Sequence, residues 1–222
     1  MKERLYVIVL ALFIMSLMPV EASAYSASSA ISYSNTYALS PNSMNALGEG
    51  YNYYSGSDCT NFTSQTLYAG GLSMDSTWKS YVTFSTNTPH RTDSATWKNA
   101  NKLKNYLKNS GIATKVGSWS KNGTGEPYRT YAYVNNSNNL TSSNKGKTVL
   151  FYDWEGDGTM NHSAFLVANN ASSTLSYEGS GDLINQHSTN RKKVLWRPDY
   201  RQASASSTNE NYTRVYAFQL SS

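Results

Sequence analysis

Cysteine is almost absent from this sequence: among 222 residues, only Cys59 carries a thiol. An intrachain disulfide framework is therefore excluded, and so is any cysteine-clustered metal site. Histidine is nearly as scarce, with three residues, and only 15% of the chain is charged. After Val20 there is no apolar run long enough to span a membrane, so stable membrane insertion of the mature chain is not expected. The basic residues are scattered, apart from Arg191-Lys192-Lys193, and no nucleic-acid motif is present. The net charge of +5 then favours loose contact with some other polyanion, such as a wall or membrane surface.

What is present begins with an export signal. Lys2 and Arg4 form a basic head, Leu5 to Val20 an apolar run, and Ala22-Ser23-Ala24 a small-x-small cleavage pattern. This predicts a signal peptide over 1–24 and a secreted mature chain starting at Tyr25, with 25–222 as a single domain. Export changes the meaning of Cys59. A lone cysteine is most often a small apolar core residue, but in an oxidising compartment an unpaired thiol is a liability unless it is used.

The stretch around that cysteine, 58–71, has the marks of one short helix. Ser57 or Asp58 can cap its start and Gly70 or Gly71 its end. Cys59, Phe62, Thr63, Thr66 and Leu67 fall at i, i+3, i+4, i+7 and i+8, hence on one face. Cys59 then occupies the first turn, where unpaired backbone N–H groups favour an anion, and the thiolate is the reactive form of cysteine.

The rest of the chain orders itself around this helix. Ala27 to Leu39 reads as a weak helix stopped by Pro41, and 72–93 as a long surface loop containing Trp78, Tyr81, Phe84 and an exposed His90. Residues 94–110 read as one amphipathic helix and 117–147 as a polar loop with a short extended piece at Arg129 to Val134. Strand patterns follow at 148–152, 163–168, 174–177, 183–186, 193–196 and 213–220. Helices first and strands after them predict an α+β fold, with the nucleophile helix packed on an antiparallel sheet.

His162 stands where the 163–168 strand begins, directly after the acidic turn 153–158. A histidine there projects from a rigid place, as a general base requires, and Cys–His chemistry needs the two side chains to meet in space only. Asp153, Glu155, Asp157 and Gly158 also resemble the first half of a calcium loop. The twelfth position, which should be a glutamate, is Ala164, so an ordinary polar turn is expected and no metal or cofactor is invoked.

Three segments together resemble a known family. They are Asp-Cys-Thr-Asn-Phe with Ser-Gln and Leu-Tyr-Ala-Gly-Gly at 58–71, Tyr-Asp-Trp-x-Gly-Asp-Gly with His-Ser at 152–163, and Gln-His-Ser-Thr-Asn-Arg at 186–191. In this order they are similar to the signatures of the "putative amidase domain" family of secreted bacterial proteins, a branch of the papain-like cell-wall cysteine hydrolases. The chain departs from that pattern at Gly146-Lys147, where the family often has Gly-Asp, and at Thr66, where it often has a second cysteine. The resemblance implies a papain-like fold and cleavage of an amide or peptide bond, with cell-wall peptide as substrate. It implies Cys59 as nucleophile, His162 as base and His187 as the polar residue that orients His162, with Asn185 as the alternative. An upstream tyrosine in the oxyanion site is implied too, and Tyr51, Tyr53 and Tyr54 all qualify. A non-catalytic wall-binding protein on the same scaffold is the competing expectation.

Overall fold

The computed structural model describes residues 24–120, 145–196 and 214–221. The signal peptide expected over 1–24, apart from Ala24, and the extended piece expected at Arg129 to Val134 lie outside the described residues. Helix α1, Ala27–Tyr37, starts where the Ser26 side chain accepts a hydrogen bond from Ser29 N–H. Helix α2, Cys59–Ala69, is buried at every residue from Cys59 to Leu67, although five of those nine are Thr, Ser or Gln. Polar side chains buried at such a density are as a rule hydrogen-bonded, and in this helix Thr66 Oγ1 alone has no partner among the described residues. Ser64 Oγ donates to Trp97 O, and Trp97 Nε1 donates to Asn61 Oδ1. The helix ends at Gly70, where any Cβ would come within 2.4 Å of the Tyr25 ring.

Strands β1, Ser80–Ser85, and β2, Thr88–Asp93, form an antiparallel hairpin in the segment expected to be loop. Thr86 and Asn87, with φ of 48° and 63°, make its two-residue turn. The hairpin has no consistently apolar face, so its sequence carries no period-2 signal. The helix expected over 94–110 is two helices, α3 at Ala95–Lys98 and α4 at Ala100–Asn109. Asn99 separates them: its backbone is extended, and its side chain accepts from Lys102 N–H. Asparagine competes with helix hydrogen bonds in this way, which suits it to a cap more than an interior.

The remaining strands are β3 at Ala113–Ser120, β4 at Thr148–Asp153, β5 at His162–Ser172, β6 at Ser180–Gln186, β7 at Arg191–Leu195 and β8 at Arg214–Leu220. They form one antiparallel sheet in the order β3-β8-β4-β5-β6-β7. Strand β3 begins before the expected polar loop and runs into it, and Thr174 to Tyr177 is a turn where a strand was expected. Alternation sorts the sheet into two faces. Val149, Phe151, Phe165, Leu183 and Phe218 pack with the helices through Leu67, Leu103 and Leu107. Leu150, Tyr152, Ala164, Leu166, Ile184, Val215 and Ala217 form a second cluster on the opposite face. The fold is α+β, with α2 packed on an antiparallel sheet.

Candidate active site

Cys59 is the first residue of α2 and is 8% exposed. Burial alone would raise its thiol pKa. The charge and hydrogen bond of His162, the Ser163 N–H and the Thr60 hydroxyl overcome that and lower it to about 7. The polar residues of α2 serve this sulfur. Thr60 Oγ1 lies 3.6 Å from Sγ and accepts a hydrogen bond from Ser163 Oγ at 3.2 Å, which leaves the Thr60 proton free to face the sulfur. Thr63 Oγ1 donates to the carbonyl of Cys59 at 3.0 Å and touches Ser163 Oγ at the same distance.

His162 is the first residue of β5, opposite Tyr152 on β4. Its ring meets Tyr152 edge-on at 5.3 Å and Trp154 at 5.8 Å, which limits its rotation. His162 Nε2 lies 3.1 Å from Gln186 Oε1. The Gln186 amide cannot be turned over, because its Nε2 donates to Thr189 O at 3.3 Å. An amide oxygen only accepts, so His162 Nε2 carries the proton. The lone pair is then on Nδ1, the nitrogen left for the sulfur.

The polar partner of His162 is thus Gln186, and neither His187 nor Asn185 is at its ring. Register explains the correction. Phe165 pairs with Asn185, so Asn185 faces the helices. Side chains alternate along the strand, so Gln186 shares the opposite face with Ala164 and His162. Asn185 donates to Ser34 Oγ and Asn35 Oδ1 on α1, and its Oδ1 accepts from Lys193 N–H. His187 hydrogen-bonds Asp58 Oδ2 through Nδ1 at 2.5 Å and Tyr37 O through Nε2 at 2.8 Å. Both ring nitrogens are thereby committed to acceptors.

From the sequence, Asp58 offers itself only as a helix cap. Its side chain makes no capping bond and is instead a buried hub. Oδ1 accepts from Tyr54 N–H and Asn61 Nδ2, while Oδ2 faces His187. Its own N–H donates to Ser188 Oγ at 2.7 Å, and Phe62 stacks on the His187 ring at 4.0 Å. His187 therefore ties the end of α1 and the β6–β7 turn to the residue just before the cysteine.

The other candidates separate clearly. The Tyr51 ring lies between Trp97 and the Arg91 guanidinium, the Tyr54 hydroxyl donates to Asp93 at 2.7 Å, and Tyr53 is 47% exposed. Trp78 is fully buried and donates to Ser64, whereas Phe84 is 63% exposed. His90 lies on β2, opposite Thr83. The acidic turn consumes its own carboxylate: Asp153 accepts from the N–H groups of Gly156, Asp157 and Gly158. Among the described residues no group of three His, Cys, Asp or Glu is placed to hold a metal ion.

Comparison with known proteins gives the family of the chain. The chain is 35% identical over 173 residues to a protein of Bacillus subtilis (strain 168) named "Uncharacterized protein YjcM". The match covers 77% of this chain and 32% of that relative, so the chain spans about a third of the relative's length. No solved structure matches. The family described as "Putative amidase domain" matches residues 24–214, a stretch that contains α2, β5 and β6 whole, and the chain belongs to that family.

Proposed function

We propose that this protein is a cysteine hydrolase of amide bonds, with Cys59 as nucleophile, His162 as general base and acid, and Gln186 as the residue that orients His162. The observation carrying this reading is the thiol itself. It is buried, yet its pKa is drawn down to about 7 by the histidine beside it. A structural cysteine in such a place would be inert. The order of nucleophile helix and base-bearing strand is that of the papain-like hydrolases, as the three segments imply.

In this mechanism His162 Nδ1 takes the thiol proton and Sγ attacks the carbonyl carbon of the substrate amide. Gln186 Oε1, held on the Nε2 proton, keeps the ring in the productive tautomer and stabilises the imidazolium that forms. The first-turn N–H groups of α2, that of Cys59 among them, have no partner within the helix and can hold the developing oxyanion. As the C–N bond breaks, the proton on Nδ1 passes to the leaving amine and a thioester remains. Water then attacks the thioester. His162 accepts the water proton and returns it to sulfur, releasing the acid. The export signal in the sequence and the net charge of +5 support secretion and a peptide of the cell wall as substrate.

The test is the pH dependence of Cys59 alkylation by iodoacetamide. A thiol with a pKa of about 7 reacts at pH 6 much faster than a free thiol with a pKa near 8.5. Digestion of purified wall material, with mass analysis of the released fragments, should give products with wild type and none with Cys59→Ala. An ordinary thiol profile with no released fragments would leave only the non-catalytic binding protein.

A further inference from the structure

A cleft of about 410 Å³ opens beside the loop that precedes Cys59 and plays no part in the mechanism above. It is lined by Tyr54 and Ser57 on one side and by Ala95, Lys98, Asn99 and Lys102 on the other. The first wall is the loop that leads through Asp58 into Cys59. The second is the junction of α3 and α4, concave because Asn99 breaks the helix there. That wall is locked to α2, since Trp97 on α3 bonds Asn61. It also touches the segment leading to His162, where Met160 N–H donates to Asn101 Oδ1 at 3.4 Å. The cleft thus borders the loop that precedes Cys59, and its second wall is bonded to the segment that precedes His162.

Its charge is one-sided. Lys98 and Lys102 are exposed and form no ion pair among the described residues. Lys98 Nζ lies 5.1 Å from the Tyr54 ring centroid. Two carboxylates lie behind this wall, and Asp93 Oδ1 has no hydrogen-bond partner among the described residues. Asp93 accepts from Tyr54 Oη and Asn52 Nδ2, and Asp58 faces His187. Two free ammonium groups in a concave site focus a positive potential on whatever enters it.

We propose that this cleft binds a carboxylate of the substrate, so that the amide presented to Cys59 belongs to an acidic peptide. This rests on the hydrolase reading. The probes are the tripeptides triglutamate and triglutamine, tested at low salt by direct calorimetric titration and by their protection of Cys59 against iodoacetamide. Triglutamate should bind and protect at concentrations about tenfold lower than triglutamine. The preference should vanish in the Lys98→Gln/Lys102→Gln double variant, where both changes are on the surface. It should persist in Lys108→Gln/Lys115→Gln, which alters the net charge equally but lies outside the cleft. Equal binding of the two peptides, binding of neither, or equal loss of preference in both double variants would overturn the proposal. The hydrolase reading is judged separately, by the alkylation profile without peptide. An ordinary thiol profile sinks that reading, while the calorimetric comparison still decides whether the cleft selects carboxylates.

Discussion

His162 and His187 are both buried, both sit beside the sheet, and both meet an aromatic ring, yet they belong to different kinds of chemistry. His162 faces a neutral amide oxygen and a thiol, with Tyr152 and Trp154 around it. His187 faces a carboxylate and a backbone carbonyl, with Phe62 stacked on it. The first has one nitrogen engaged by an acceptor and the other left toward the sulfur. The second has an acceptor on each nitrogen, and so has none left for a reacting group. A histidine with both nitrogens committed to strong acceptors holds structure together; one with a nitrogen to spare can do acid–base work.

The sharpest way to break this contrast is to remove each ring in turn. His162→Ala should reduce amide hydrolysis by about a thousandfold or more, near the level of Cys59→Ala. The thiol should also lose its depression. Burial remains while the neighbouring charge is gone, so the alkylation profile should move from about 7 to the range of an ordinary thiol or above. The sign for stability follows from the depressed value. The ionised thiol of the wild type contributes stability fully present above the unfolded pKa, near 8.5, and lost as pH falls through about 7. His162→Ala should flatten the pH dependence of the melting temperature in that window.

His187→Ala should show the reverse pattern. It strands the Asp58 carboxylate in the interior, and breaking a buried pair from one side costs about 3–5 kcal/mol. Chemical denaturation should register this loss. Adding Asp58→Asn to His187→Gln should recover part of it, because an amide pair needs no charge. The alkylation profile of whatever protein stays folded should keep its low pKa. If His187→Ala instead leaves stability unchanged and shifts the profile, the roles given to the two histidines are reversed.

Gln186→Ala should have a smaller effect than either. The Cys–His pair and the oxyanion donors remain, but the tautomer is no longer enforced, so hydrolysis should fall by about 10- to 100-fold. Gln186→Glu should restore the orientation and raise the pH at which His162 loses its proton, a shift that a purely structural role would not produce. Asn185→Ala provides the comparison from the other face of the same strand, where the loss should be of stability.

The smallest effect is expected earlier on β6. Asp182 is buried, and its carboxyl pKa is raised by desolvation, only partly countered by hydrogen bonds from Asn169 and Asn170. Its Oδ2 and Asn169 Oδ1 have no hydrogen-bond partner among the described residues. The protonated form is favoured by folding, so this contribution is full below the unfolded value, near 3.9, and is lost as pH rises through the folded one. Asp182→Asn should raise stability at neutral pH by up to about 1 kcal/mol and remove that part of the pH dependence. A destabilised variant would mean that the carboxylate has a cationic partner.

Much of this was legible in the residues alone. The polar helix with its cysteine in the first turn, the strands at 148–152 and 163–168, and the helices-then-strands order are local properties carried by periodicity and caps, and three short segments carried the family. The hairpin of β1 and β2 was not legible, because neither strand has a buried face to leave a pattern. The break at Asn99 was missed because the apolar spacing continues across it, with Trp97 and Ala100 both buried. Choosing among Asn185, Gln186 and His187 was beyond the sequence for a different reason. All three are polar, all three are buried, and each could hold a histidine. Only the pairing of Phe165 with Asn185 decides which of them looks toward His162, and a register off by one residue turns every side chain to the other face. The sequence by itself determined which residues could do the chemistry. The tertiary structure decided which ones meet, because a strand's register is set by its neighbours across the sheet and not by its own residues.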